Sequence, residues 1–198
     1  MSIVSRPIPL RTADTIGDAE LVTRALDGDR WSREVLYRRH AGSLLAMTAR
    51  LLASRNEAEE VVQDTFVAGF EHLAALREPA AFRGWLGQIA VSLVRRRIRR
   101  ARLMRLCGLD RGADDATLAS FAAPGASPDE VAELSFVGRV LAGQPANLRI
   151  AWSLRWIEGL ELTEVASLCG CSLATAKRRI AAVEALLSRH VAGVEGRS

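Results

Sequence analysis

The chain has 198 residues, enough for one medium domain or two small ones, and its 49% hydrophobic content with only six prolines suits buried cores rather than disorder. Its net charge of +4 is unevenly placed: residues 95–105 carry seven arginines and no acid, whereas the rest of the chain carries a small acidic excess, which is the electrostatic footprint of a polyanion-binding site. No stretch approaches the roughly 18–20 apolar residues of a membrane span, because Arg50 interrupts Leu44 to Ala53, and Met1 to Gly17 lacks a signal-peptide core, so membrane insertion and export are excluded and a cytoplasmic location is expected.

Helical periodicity runs through the chain and strand alternation is almost absent, which predicts an all-α fold. Asp18 caps a short helix to about Asp27, with Leu21, Val22 and Ala25 inward and Gly28 ending it. A longer helix opens near Ser32 and runs to about Ala53 on a stripe of Val35, Leu36, Leu44, Leu45, Ala49 and Leu52. Asn56 caps the next, over 57–75, where Val61, Val62, Phe66 and Phe70 point inward and Glu57, Glu60 and Asp64 share another face. After the break at Arg77, Glu78 and Pro79, a helix from about Ala80 carries Trp85, Leu86, Ile89, Ala90 and Leu93 straight into the arginine cluster.

Residues 106–127, with Gly108, Gly112, Pro124 and Gly125, read as a flexible linker. Ser127, Pro128, Asp129 and Glu130 then make a strong helix start: a cap, a first-turn proline and first-turn acids. That helix ends near Gly143, and Pro145 opens another that stops at Gly159. A short helix at about Thr163 to Leu168, a Cys169-Gly170-Cys171 turn and a helix from Ser172 to about His190 follow, the last burying Ala176, Ile180, Val183 and Leu187. The domains are thus an N-terminal extension 1–17, a four-helix domain 18–105, the linker 106–127, a four-helix domain 128–192 and a tail 193–198.

The sharpest chemical pattern is the helix, glycine turn and capped helix from Thr163 to Leu187, the pattern of a helix-turn-helix whose second helix enters the major groove. Thr175 and Arg178 would reach base edges, and Ser172, Lys177 and Arg179 phosphates, with Ala174 on the same exposed half; periodicity alone leaves open a helical hairpin with a solvated basic face. Arg95, Arg96, Arg97, Arg99, Arg100, Arg102 and Arg105 surround their helix without intervening acids, which favours nucleic-acid contact over a membrane-surface helix. The acidic face Glu57, Glu60, Asp64 suits either solvation or a basic partner. His40, His72 and His190 lie far apart, and Cys107, Cys169 and Cys171 have neither a disulfide nor a zinc pattern, so no catalytic residues, metal or cofactor are expected.

Two motif sets carry a family resemblance. Ala58-Glu59-Glu60-Val61-Val62-Gln63-Asp64-Thr65-Phe66, Phe82-Arg83-Gly84-Trp85-Leu86 with Ile89-Ala90, and the arginine-rich helix end resemble domain two of bacterial extracytoplasmic-function (ECF) sigma factors. Pro145 with Arg149, Gly159-Leu160 with Glu164-Val165-Ala166, and Thr175-Ala176-Lys177-Arg178-Arg179-Ile180 resemble their domain four. The resemblance implies an RNA polymerase sigma factor, not an enzyme, that directs core polymerase to promoters and initiates transcription. It implies docking of Glu57, Glu60, Gln63 and Asp64 on the clamp helices of the beta-prime subunit, with the beta subunit, promoter DNA and an anti-sigma factor as further partners.

It also implies minus-ten recognition by Arg77, Phe82, Arg83, Trp85 and Gln88 with Arg95, Arg96 and Arg99 on the backbone, and minus-thirty-five recognition by Ser172, Ala174, Thr175, Lys177, Arg178 and Arg179. Asp110, Asp114 and Asp115 of the linker would mimic nucleic-acid charge near the polymerase cleft. Ser92 stands where the family usually has Asn, Arg96 where it has Asp, and Ala181 to Glu184 where arginines tend to continue. Those departures keep two alternatives: a sigma-like DNA-binding regulator that has lost promoter opening, and a helical protein-binding adaptor.

Overall fold

The computed structural model describes residues 16–108, 125 and 127–195, and among these the chain folds into eight α-helices with no strand. The first four are α1 (Asp18–Leu26), α2 (Arg30–Leu52), α3 (Arg55–Glu71) and α4 (Phe82–Leu106), with single 3-10 turns at Leu73–Ala75 and Pro79–Ala81 between the last two. The second four are α5 (Pro128–Ala142), α6 (Ala146–Trp156), α7 (Leu162–Cys169) and α8 (Leu173–Glu195). Asp110, Asp114 and Asp115 lie outside the described residues.

Local chemistry sets the helix ends. The side chain of Asp29, not Ser32, starts α2: it accepts from Trp31 N (3.0 Å) and from Ser32 Oγ (2.6 Å), which leaves Ser32 inside the helix and fully buried. Ser54, two residues before the expected Asn56, caps α3 by accepting from Glu57 N. That helix stops at Glu71, and the remaining expected turn becomes the 3-10 turn at Leu73–Ala75, whose Leu73 is buried. The Ser127 start of α5 is a full capping box, with Glu130 Oε2 accepting from Ser127 N at 2.7 Å. α8 continues past the expected end, to Glu195.

One apolar cluster gathers α1, α2, α3 and α4 around Leu21, Leu36, Val62, Phe66, Phe82 and Leu86. A second crosses from the first four helices into the second four: Leu51, Val61, Val91, Val94 and Ile98 pack with Ile150, Leu154, Val165, Ala166, Cys169 and Ile180. The two halves therefore share a core. A smaller cluster, Leu141 with Val183, holds α5 on α8.

Candidate nucleic-acid interface

α4 is the spine of the site. Its inward stripe, Phe82, Leu86, Gly87, Ala90, Val91, Val94 and Ile98, leaves Arg83, Gln88, Ser92, Arg96, Arg99 and Arg100 exposed, and past Ile98 the helix leaves the core, so Arg102 and Arg105 are exposed too. The 3-10 turn before α4 brings Arg77 to the side of that helix. There Arg77, Glu78, Trp85 and Gln88 line a concave pocket of about 360 Å³, whose wall is completed by Ser167 of α7. A cation, a half-buried indole and an amide around one hollow are the groups that grip an extruded base: charge for its phosphate, a flat face for stacking, and hydrogen bonds for its edge.

Phe82, expected in the same surface, does not belong to it. The ring is fully buried, 5.6 Å from His40 and 6.3 Å from Trp85 between ring centroids, so it props Trp85 from below and makes no DNA contact. His40 in turn is held by Asp18 Oδ2 at 2.7 Å, and Arg39 pairs with the other oxygen of that carboxylate.

The basic end of α4 is not uniformly free. Arg97 Nη1 donates to Glu60 Oε2 at 2.7 Å, and Arg95 Nη2 donates to the carbonyl of Cys169 at 2.9 Å, while Arg95 Nε is buried without a partner. Arg96 and Arg99 remain exposed.

The acidic face of α3 is solvent-facing at Glu60, Gln63 and Asp64, with Glu57 half-buried. Val67, 58% exposed, lies on the same stripe at helical spacing from Gln63 and Asp64, an exposed apolar residue that sequence reasoning did not single out. Its signal was the 3 and 4 spacing from two residues already singled out.

The helix-turn-helix is formed as expected. Gly170 ends α7 with φ +60°, a left-handed conformation that favours glycine, and the Cys171 amide bonds back to Ala166 O at 3.0 Å. Ser172 Oγ then caps α8 by accepting from Thr175 N at 3.2 Å. Ala176, Ile180 and Val183 are buried, leaving Ser172, Ala174, Lys177 and Arg178 exposed and Thr175 half-buried. Arg179 departs from the expected phosphate role: it is half-buried with Nη1 enclosed and unpartnered, near Cys169. Burial, then the neighbouring Cys171, raise the Cys169 thiol above its ordinary value, against the opposing pull of Arg95 and Arg179.

Three further residues escape any local reading because their partners are about a hundred positions away. Arg50 Nε and Nη2 grip both oxygens of Glu158 at 2.6 Å, and this two-point bond raises the guanidinium above its ordinary value. Arg149 Nη2 donates to Leu51 O at 2.8 Å; desolvation, then repulsion from Arg105, lowers its guanidinium.

Among the described residues no group of three or more His, Cys, Asp or Glu is arranged to hold a metal, and no helix is long and apolar enough to cross a membrane.

Residues 36–103 match the family model Sigma-70 region 2. The chain is 28% identical over 172 residues to the RNA polymerase sigma-H factor of Pseudomonas aeruginosa, covering 82% of this chain and 88% of that protein. It is 29% identical over 177 residues to the ECF RNA polymerase sigma-E factor of Escherichia coli, covering 85% and 91%. The solved structure of CnrH in complex with the cytosolic domain of CnrY superposes with a TM-score of 0.60 at 27% identity, covering 89% of this chain and 97% of that one. The region-two match lies on α2 to α4 and the relatives span both halves, so the chain is similar to ECF sigma factors along most of its length.

Proposed function

We propose that this chain is an ECF-type sigma factor that binds core RNA polymerase through the exposed stripe of α3 and carries it to promoters through two DNA-reading surfaces. Glu57, Glu60, Gln63 and Asp64, with Val67 among them, form the polymerase-docking face on the clamp helices of the beta-prime subunit. The beta subunit and an anti-sigma factor are the further protein partners, and the place of work is the cytoplasm. The hollow lined by Arg77, Trp85 and Gln88 captures an extruded minus-ten base, the exposed Arg83 is a further minus-ten contact, and Arg95, Arg96 and Arg99 follow the backbone. Ser172, Ala174, Thr175, Lys177 and Arg178 face the minus-thirty-five element, with the guanidinium fork of Arg178 toward base edges and Arg179 turned inward beneath them.

The chain is not an enzyme: strand opening draws on capturing unstacked bases, each costing on the order of a few kcal/mol to extrude. The observation that carries the reading is the split character of α3 and α4. One face of each supplies the core, and the other presents an acidic stripe on α3 and an aromatic, basic hollow on α4.

Reversing charge at Glu60→Arg with Asp64→Arg is expected to abolish co-purification with core polymerase while leaving salt-dependent DNA binding in place. Unchanged co-purification would overturn the docking face.

A further inference from the structure

Neither DNA-reading surface uses the two thiols that flank the glycine of the helix-turn-helix. Cys169 ends α7 inside the shared core and Cys171 stands half-buried across Gly170, both as free thiols. Gly170, at φ +60° and ψ +45°, is the mirror image of a helical residue. The Cα atoms on its two sides therefore stand about 5.4 Å apart, the two-residue step of a helix, inside the roughly 4.4–6.8 Å that a disulfide spans. The surroundings select among the chemistries open to a dithiol. Arg95 Nη2 donates to the Cys169 carbonyl at 2.9 Å, while Arg95 Nε and Arg179 Nη1 are enclosed with no partner among the described residues. Burial, then Cys171, raise the Cys169 thiol, and both guanidinium groups oppose them. Two cations beside the pair repel a metal ion and favour an anionic sulfur.

We propose that Cys169 and Cys171 are a hydroperoxide-reactive dithiol whose disulfide resets the start of α8. The half-buried Cys171 is the thiol that hydrogen peroxide reaches first. Its sulfur takes one hydroxyl as the O–O bond breaks, giving a sulfenic acid, and the other oxygen leaves as water with the thiol proton. The Cys169 sulfur, held as thiolate beside Arg95 and Arg179, then attacks the Cys171 sulfur. The S–S bond forms, the S–O bond breaks, and hydroxide departs as water with the Cys169 proton, so two thiols lose two electrons and one peroxide becomes two waters. Closing the bridge draws Cys171 toward the core position of Cys169. Ser172 follows directly, and its Oγ holds the first turn of α8 through Thr175 N at 3.2 Å and Thr175 Oγ1 at 2.9 Å, so the bridge pulls on that cap. Its consequence for DNA rests on the reading of α8 as the minus-thirty-five surface.

The test uses the full chain carrying Cys107→Ser, which removes the exposed third thiol, treated with hydrogen peroxide and read by mass spectrometry after thiol blocking. Oxidation is expected to lower the mass of the peptide spanning both thiols by two hydrogens, to be reversed by dithiothreitol, and to be absent once Cys171→Ser is added. Arg179→Gln is expected to prolong the dimedone-trappable sulfenic acid at Cys171 about threefold, because a thiol raised by about one unit loses tenfold in thiolate and regains part through a Brønsted slope of about 0.4–0.5. In the oxidised chain the Thr175 amide is expected to exchange about fivefold faster, the change that a lost cap gives, and binding to a mixed-sequence DNA duplex is expected to weaken. Thiols left free by peroxide overturn the site. An unchanged sulfenic acid lifetime in Arg179→Gln overturns the part of that guanidinium in closing the bridge. A bridge that forms while Thr175 exchange stays constant overturns its hold on α8, and faster exchange with unchanged affinity, in a chain that binds DNA when reduced, overturns the link to recognition. A reduced chain without salt-dependent DNA binding, alongside a bridge that loosens Thr175, overturns the DNA reading of α8 and leaves the redox pair standing.

Discussion

Phe82 and Trp85 are three residues apart on one helix and carry different work. The chain turns at Pro79–Ala81 and enters α4 with Phe82 facing the core, so the phenyl ring fills space between His40 and Trp85 while the indole keeps part of its surface toward the pocket with Arg77 and Gln88. Deleting a fully buried aromatic ring removes transfer free energy and leaves a cavity, so Phe82→Ala is expected to cost about 3–5 kcal/mol in denaturant unfolding. A stability left within error of wild type, with only DNA affinity reduced, would return the ring to the recognition surface. The sequence motif held both aromatics without distinguishing them, because residues three apart on a helix differ in direction by only about 60° and spacing alone does not decide which ring is enclosed. Arg179, expected on a phosphate beside the base-reading Arg178, shows the same limit: a step of about 100° turns it from the groove-facing side toward Cys169.

Helix ends separate what was legible locally from what was not. The start of α5 needed only four consecutive residues, and the expected helix start at Ser127 is present, closed further by Glu130 into a capping box. The start of α2 was misread because Asp29 and Ser32 are both good caps three residues apart, and what decides is burial: Ser32 faces the core, where its hydroxyl is satisfied by donating to Asp29. The α5 cap also titrates. The hydrogen bond from Ser127 N, then that from its hydroxyl, hold the Glu130 carboxyl below its ordinary value of 4.5. A folded-state value lowered in this way stabilises the helix end above the unfolded value, and that stabilisation is lost as pH falls through the folded one. The first turn of α5 is therefore expected to lose amide protection below the ordinary glutamate range while α6 keeps its own. Glu130→Gln should remove that pH dependence; a first turn whose protection factors stay constant through the same range would show that the cap does not hold α5.

At the scale of the molecule the seam is the feature no local pattern announced. Nothing in the local pattern marks Arg50 and Glu158 as partners, or Leu51, Val91 and Val94 as shared between the halves; the fold brings the first two together as an ion pair and sets the other three against Ile150, Leu154 and Val165 in one cluster. Shared burial couples the halves energetically, since atoms removed from one side expose surface or leave a void on the other. Leu154, fully buried in α6, lies in the shared cluster, whereas Val183 of α8 lies in the separate one with Leu141. Leu154→Ala is expected to cost about 2–5 kcal/mol and, beyond α6, to lower native-state exchange protection in the middle of α4 around Val91 and Val94. Val183→Ala is expected to reduce protection in α5 and α8 and leave α4 unchanged. Equal protection of α4 in the wild-type chain and Leu154→Ala would mean that the halves fold as independent units and that their contact carries little energy. A loss of α4 protection confined to Leu154→Ala would identify the shared cluster as what couples the two halves energetically.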